Sequence, residues 1–197
     1  WDSATGKLLQ SCEGHTASIV SVAFSPSGKR FATGGLDGSC RLWDSETAKN
    51  ILVIKNEEAR YHRLSFSPDG TRLLSSGPGS EPHVWNCENG EKVLTLKVDP
   101  EQVTSARFSP NGISAAVATR SNRIYLCNLI NGKSDNMVRQ NAGEIVDFAF
   151  SPDATKLLTV NMNNNLLLHR VPLGWGIIVF DQNGTKTTSP DYFFNLS

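Results

Sequence analysis

Neither sign of charge dominates this sequence: 19 lysines and arginines stand against 19 aspartates and glutamates. Without a net charge there is no bulk electrostatic footprint for a phosphate backbone or an anionic bilayer, so nucleic-acid and membrane-surface partners are not expected. Long apolar runs are also missing. Stretches such as Gly176–Phe180 fall far short of the ~20 residues that a membrane-spanning helix needs. No signal-peptide pattern stands at the start, and the expected compartment is the cytoplasm, with the nucleus also open. The cysteines are few: Cys12, Cys40, Cys87 and Cys127. None forms a C-x-x-C pair and no histidine stands at metal-ligand spacing from two of them, so structural thiols in a reducing compartment are expected rather than a metal site or a disulfide framework. The sequence has no H-E-x-x-H and no G-x-S-x-G, and no cofactor motif survives inspection. Gly132-Lys133-Ser134 ends like a phosphate-binding loop, but Cys127 takes the place of its first glycine and no helical pattern follows. It reads instead as a hairpin turn.

What is present is a repeat. Phe-Ser-Pro begins at Phe24, Phe66, Phe108 and Phe150, always at the same step, with no insertion or deletion. A second marker keeps the same phase: Trp1-Asp2, Trp43-Asp44, Trp85-Asn86, Cys127-Asn128 and His169-Arg170. A third is the turn residue that follows: Gly6, Ala48, Gly90, Gly132 and Gly174. Each period holds four short runs rich in β-branched and aromatic residues, bounded by Gly, Pro, Ser and Asp, and no helical periodicity of useful length competes. The expected fold class is all-β. In the first period the strands are expected at Ile19–Phe24, Arg30–Gly34, Cys40–Trp43 and Ile51–Ile54. The first of these should bury Ile19, Val22 and Phe24, with a bulge where strict alternation breaks. The last period should end on a strand at Trp175–Phe180.

A period of roughly 40–45 residues, with four strands and Gly-His…Trp-Asp ends, marks a propeller blade. Gly14–Asp44, from Gly14-His15 to Trp43-Asp44, carries the pattern most fully, and the sequence resembles the WD40-repeat β-propellers over residues 1 to about 180. The resemblance implies the end of a preceding blade at 1–12 and four blades of antiparallel strands at 13–54, 55–96, 97–138 and 139–180; residues 181–197 fall outside it and read as a divergent tail, either disordered or a splice- or frame-derived terminus. A ring of seven blades at that repeat length would need roughly 280–315 residues, so an incomplete ring is expected, a fragment of a longer propeller or a truncated product. Its open ends should invite self-association.

In relatives of this kind one polar network ties a blade together, and the matching positions here are His15, Thr33, Asp37 and Trp43. Asp37 can accept from one imidazole nitrogen, the other can accept from the Thr33 hydroxyl, and Thr33 can accept from the indole N–H of Trp43, which satisfies every buried polar group. A histidine, a hydroxyl and an aspartate also make a catalytic set elsewhere, but here the hydroxyl sits mid-strand and not at a pocket. Blade two keeps Ser75 and Trp85, with Glu57 and Gly79 in the other slots. Blade three has Asp99, Val117, Ser121 and Cys127, and blade four has Asn141, Thr159, Asn163 and His169.

The resemblance implies a non-catalytic scaffold that docks other proteins or peptides on the loops of one propeller face. By the repeat, candidate partner-binding residues are Arg60, His62, Gln102, Arg120, Glu144 and Met162, together with Ser18, Val20, Leu36, Pro78, Thr104 and Val146; a plain solvated rim is the alternative for all of them. Two other functions stay open at this level: a regulatory or sensor segment of a larger multidomain protein, and the propeller of a hydrolase-like enzyme, since Ser67–Gly70 reads Ser-Pro-Asp-Gly.

Overall fold

The computed structural model describes residues 2–55, 63–99, 103–139, 144–171, 179–180 and 186–187, with the backbone alone at 135–139, 179–180 and 186–187. Every regular element among them is a strand, and four consecutive antiparallel meanders account for most of the described residues. Blade one is β1 (Ile19–Phe24), β2 (Arg30–Gly35), β3 (Ser39–Asp44) and β4 (Asn50–Lys55). Blade two is β5 (Arg63–Phe66), β6 (Arg72–Gly77), β7 (Ser80–Asn86) and β8 (Lys92–Thr95). Blade three is β9 (Val103–Phe108), β10 (Ser114–Thr119), β11 (Arg123–Asn128) and β12 (Ser134–Arg139). Blade four has β13 (Ile145–Phe150), β14 (Lys156–Asn161) and β15 (Leu166–Arg170). The sheets follow one another with their first strands on the inside: β5 lies beside both β1 and β9, and β13 packs on β10. The architecture is that of WD40 propeller blades laid side by side, with none of the sheets closed on itself.

The repeat markers have local physical reasons. The serine of each Phe-Ser-Pro staples the hairpin that follows it. Ser25 Oγ donates to the carbonyl of Arg30 and accepts from its amide at 3.0 and 3.1 Å. Ser67 does the same with Arg72, Ser109 with Ser114, and Ser151 with Lys156. The acidic or amide residue of the second marker caps the next turn. Asp44 Oδ1 accepts from the Thr47 amide and hydroxyl, both at 2.7 Å, and Asn86 and Asn128 accept from the amides of Glu88 and Ile130. The turn then needs a left-handed residue, which is why small residues recur there: φ is 64° at Gly6, 54° at Ala48, 76° at Gly90 and 71° at Gly132. Gly132-Lys133-Ser134 is therefore one of four equivalent hairpin turns.

Successive blades bury one apolar layer between each pair. Ala32, Cys40, Leu42 and Ile54 of blade one meet Phe66, Leu73, Trp85 and Cys87 of blade two. Leu74, Val84 and Leu96 of blade two meet Ala106, Phe108, Ala115 and Cys127 of blade three, and Ala116, Ala118 and Ile124 of blade three meet Ile145, Phe148 and Leu157 of blade four. Burial in these layers pushes the Cys40 thiol far above its ordinary range and the Cys87 thiol up to about 11, while Cys12 is exposed.

Two details differ from the sequence expectation. The bulge in β1 is present, between Ile19 and Ser21, but Ile19, Val22 and Phe24 are not buried: Val22 is 72% and Phe24 70% exposed. Their alternation points them to the face of blade one against which no described sheet packs. The second difference concerns the last strand. Val179–Phe180 pairs with Lys186–Thr187, inside the stretch expected to be a divergent tail, and forms a separate two-stranded ladder rather than a fourth strand on β15. Residues 175–178 and the rest of the tail lie outside the described residues.

Candidate functional site: a locked blade and a loop rim

In blade one the chain places His15 just ahead of β1, Thr33 in β2, Asp37 in the β2–β3 turn and Trp43 in β3, and the structure brings all four together. His15 Nδ1 lies 2.9 Å from Asp37 Oδ2 and its Nε2 lies 2.7 Å from Thr33 Oγ1. The Trp43 indole N–H donates to Thr33 Oγ1 at 2.8 Å. An ionised carboxylate only accepts, so Nδ1 carries the proton, Nε2 accepts from the threonine hydroxyl, and that hydroxyl accepts from the indole. The chain of donors runs one way, from the buried indole out to the turn.

Asp37 is the hub. Burial works to raise its pKa, but the Thr16 amide, the Ser39 hydroxyl, the His15 imidazole and the Ser39 amide all donate to it and hold it well below the ordinary carboxylate range. Sequence reasoning does not single out Ser39. Its hydroxyl sits 2.8 Å from Asp37 Oδ1 and 3.3 Å from His15 Nδ1. The signal is there in principle, because a serine two residues after an aspartate in a tight turn is the usual geometry of a carboxylate-capped turn. Gly35 is the second residue missed. A methyl group built on it would fall 2.5 Å from His15 Nδ1 and 2.6 Å from Asp37 Oδ1, so the network fits only over a bare Cα.

The other blades hold remnants. The Trp85 indole donates to Ser75 Oγ at 2.8 Å, repeating the inner half of the blade-one chain. In blade three Val117 takes the threonine slot; Ser121, in the aspartate slot, lies 3.0 Å from Thr119 Oγ1, which donates to the carbonyl of Arg123. In blade four, Thr159 Oγ1 lies 3.0 Å from His169 Nε2, with the imidazole in the indole's slot. Trp43→Phe and Trp85→Phe each delete one donor and some packed volume, and each is expected to lower stability by about 1–2 kcal/mol in urea titration. The Trp43 variant should also speed deuterium uptake at the Thr16 amide, which lies on the same network; equal uptake in both variants would show that the blade-one chain is not coupled from end to end.

The second candidate region is the edge of the blades that carries the β2–β3, β10–β11 and β14–β15 turns. Arg120 Nε lies 3.8 Å from Glu144 Oε1, across the junction of blades three and four. The Met162 amide donates to the Glu144 carbonyl at 2.9 Å, just as the Leu36 amide donates to the carbonyl of Ser18 in blade one. These two backbone bonds hold Met162 beside Glu144 and Leu36 beside Ser18, and Leu36, Val20, Val146 and Met162 are all exposed. The structure thus gathers Arg120, Glu144 and Met162 in one patch. Arg60, His62 and Gln102 lie outside the described residues. Among the described residues no group of three or more His, Cys, Asp or Glu side chains is placed to hold a metal ion, and no helix is long and apolar enough to cross a membrane.

Residues 6–44 match the family model described as WD40, the WD domain, G-beta repeat. The match closes on Trp43-Asp44 and takes in the whole His15–Asp37–Thr33–Trp43 chain. A comparison with curated proteins gives no match.

Proposed function

This chain is a WD40-repeat protein, and from that premise we propose that it is a non-catalytic scaffold that docks other proteins or short peptides on the loop rim of one propeller edge. A WD40 repeat supports protein interaction in general; the narrower statement needs a site, since a fold does not by itself carry a function. The observation that carries it is the rim patch. Met162 and Val146 stand exposed beside the Arg120–Glu144 pair, and each is held there by strand ends and backbone bonds rather than by long mobile loops. Methionine and arginine are enriched in contact patches, and arginine is over-represented among residues that dominate binding energy. The ion pair itself adds little to stability because both partners are solvated, so its charges are available to a partner at small cost. The polar network of blade one serves this reading as a brace. Its members are tied to one another and to the blade.

The test is selection of a displayed peptide library on the immobilised chain, followed by titration of the enriched peptides. Arg120→Ala combined with Met162→Ser is expected to raise their Kd at least about tenfold, the loss of one binding hot spot. Lys133→Ala, in the hairpin turn at the opposite edge, is expected to leave Kd unchanged. Failure to enrich any peptide, or enriched peptides that ignore the rim substitutions, would remove the assignment.

A further inference from the structure

The last strand of a blade carries the free edge of its sheet, and the described copies of that strand are not alike. β4, β8 and β12 each lie at the outside of their sheets, and each is bulged once. Beyond its bulge β8 keeps only Leu94 and Thr95 on the ladder, and the bulge of β12 falls at Asp135 and Asn136. Short length and charge are the devices by which proteins blunt an edge. β4 has neither. It reads Asn50-Ile51-Leu52-Val53-Ile54-Lys55, and its ladder runs unbroken from Leu52 to Lys55 opposite Leu42 to Ser39. Consecutive β-branched and leucine residues, with no proline and no charge between the ends, make a strand that pairs readily. Leu52 and Ile54 turn into the layer shared with blade two, whereas Ile51 is 46% and Val53 37% exposed. That exposure belongs to the outer strand itself. Val93, at the position of Ile51 in blade two, is 47% exposed although blade two has a packed layer on both sides. Blades stack face to face, whereas a free edge lies in the plane of its own sheet, so neighbouring blades do not cover it.

We propose that the outer edge of β4 receives an extended segment of another protein as an added strand, with β-branched side chains at alternate positions and acidic residues at its ends. The backbone argues for the extended form. Unpaired N–H and C=O groups at strand spacing are satisfied together only by a second extended chain. The exposed Ile51 and Val53 offer cross-strand contacts to alternate side chains of that chain. The ends argue for the acidic residues. Exposed Lys49 and Lys55 bracket the apolar run, and Lys55 forms no ion pair among the described residues. The same lysines disfavour a second copy of this chain as the occupant. Antiparallel pairing of two β4 strands about Leu52 sets Lys49 opposite Lys55 at both ends, and like charges directly across a ladder are destabilising. This edge reads main chain where the rim reads side chains, and the two sites stand or fall separately.

The test is titration of the chain with the end-blocked peptide Glu-Val-Thr-Val-Thr-Val-Glu, read by fluorescence anisotropy and by deuterium uptake. Saturable binding is expected, with slower uptake across Asn50–Lys55 and no change across Ser134–Arg139. The same peptide N-methylated along its backbone keeps every side chain but has no ladder donors, and is expected not to bind. Val53→Glu sets a carboxylate opposite Arg41 within the blade, which the fold can accept, and places it against the peptide; it is expected to raise Kd about tenfold or more. Lys55→Glu should weaken the peptide with glutamate ends and strengthen its counterpart with lysine ends, a reversal that a misfolded variant would not give. Arg120→Ala combined with Met162→Ser, on the rim, should leave Kd unchanged. No saturable binding at about 1 mM peptide, equal binding of the methylated peptide, or binding indifferent to Val53→Glu would overturn the proposal. So would a wild-type dimer that Val53→Glu disperses, because a second copy would then hold the edge.

Discussion

Gly35→Ala is expected to cost this chain about 3 kcal/mol, more than truncating most of its surface. The backbone at Gly35 is ordinary strand, so the cost does not come from a forbidden φ. It comes from the place where the added methyl group would go, 2.5 Å from His15 Nδ1 and 2.6 Å from Asp37 Oδ1. Neither atom has anywhere to retreat. Asp37 is fixed by the amides of Thr16 and Ser39 and by the Ser39 hydroxyl, and His15 is fixed at its far side by Thr33. Moving either one breaks a bond to a buried, ionised carboxylate, and a buried charge stripped of a partner costs roughly 3–5 kcal/mol. Some relaxation of the turn brings the expected figure to the lower end. Urea denaturation of Gly35→Ala, Asp37→Ala and the double variant is the measurement. With Asp37 removed, the methyl group meets one obstacle instead of two and the imidazole is free to turn, so the two losses should fall short of adding by at least about 1 kcal/mol. A Gly35→Ala protein within about 0.5 kcal/mol of the parent, the range of an ordinary surface substitution, would show that the network yields easily and is not what stiffens blade one.

Nothing in the sequence marks Gly35, and the contrast with its neighbours shows why. Residues that keep their type at a fixed spacing are legible as positions: the Phe-Ser-Pro serines, Asp44 and Asn86, and the turn residues that follow them, each acting through hydrogen bonds to near neighbours in the chain. His15, Thr33, Asp37 and Trp43 are placed by the resemblance to WD40 blades, and their bonds reach up to 22 residues along the chain. Gly35 has no side chain to give it away, and its importance lies in the approach of His15 from just ahead of β1, the strand paired beside it. Burial is the other failure. Phe24 has the same type and phase as Phe66 and Phe108, so a repeat-based reading buries all three, yet only a neighbouring blade can bury a residue that points out of its own sheet. The alternation tells which face Phe24 takes; nothing within its own repeat can tell whether that face is covered. The rim is half legible for a related reason. The repeat locates Arg120, Glu144 and Met162 as positions, but the pairing of Arg120 with Glu144 depends on how two blades sit side by side across the layer of Ala116, Ala118, Ile145 and Phe148.

The blade-four histidine should make the chain acid-sensitive well above the range where carboxylates matter. His169 is 4% exposed, and burial lowers its pKa from 6.5 to about 4. Above pH 6.5 neither the folded nor the unfolded imidazole holds a proton, and the stability contribution is complete. Between pH 6.5 and 4 the unfolded chain binds a proton that the folded chain refuses, so stability falls as the pH drops, by about 1.4 kcal/mol per unit at the steepest. Below pH 4 both forms are protonated and the loss levels off at about 3 kcal/mol. The depressed carboxylate of Asp37 acts in a different window: its contribution is intact above the ordinary carboxylate pKa near 4 and is lost only as the pH falls below it. The two effects therefore separate on the pH axis. His169→Gln keeps an N–H for the Thr159 hydroxyl and carries no ionisable group, so the difference in unfolding free energy between parent and variant should shrink by about 3 kcal/mol from pH 7 to pH 4. Parallel curves for the two proteins over that interval would mean that His169 takes up its proton in the folded chain, and that blade four opens to water where blades one and two, with an indole in the same slot, stay dry.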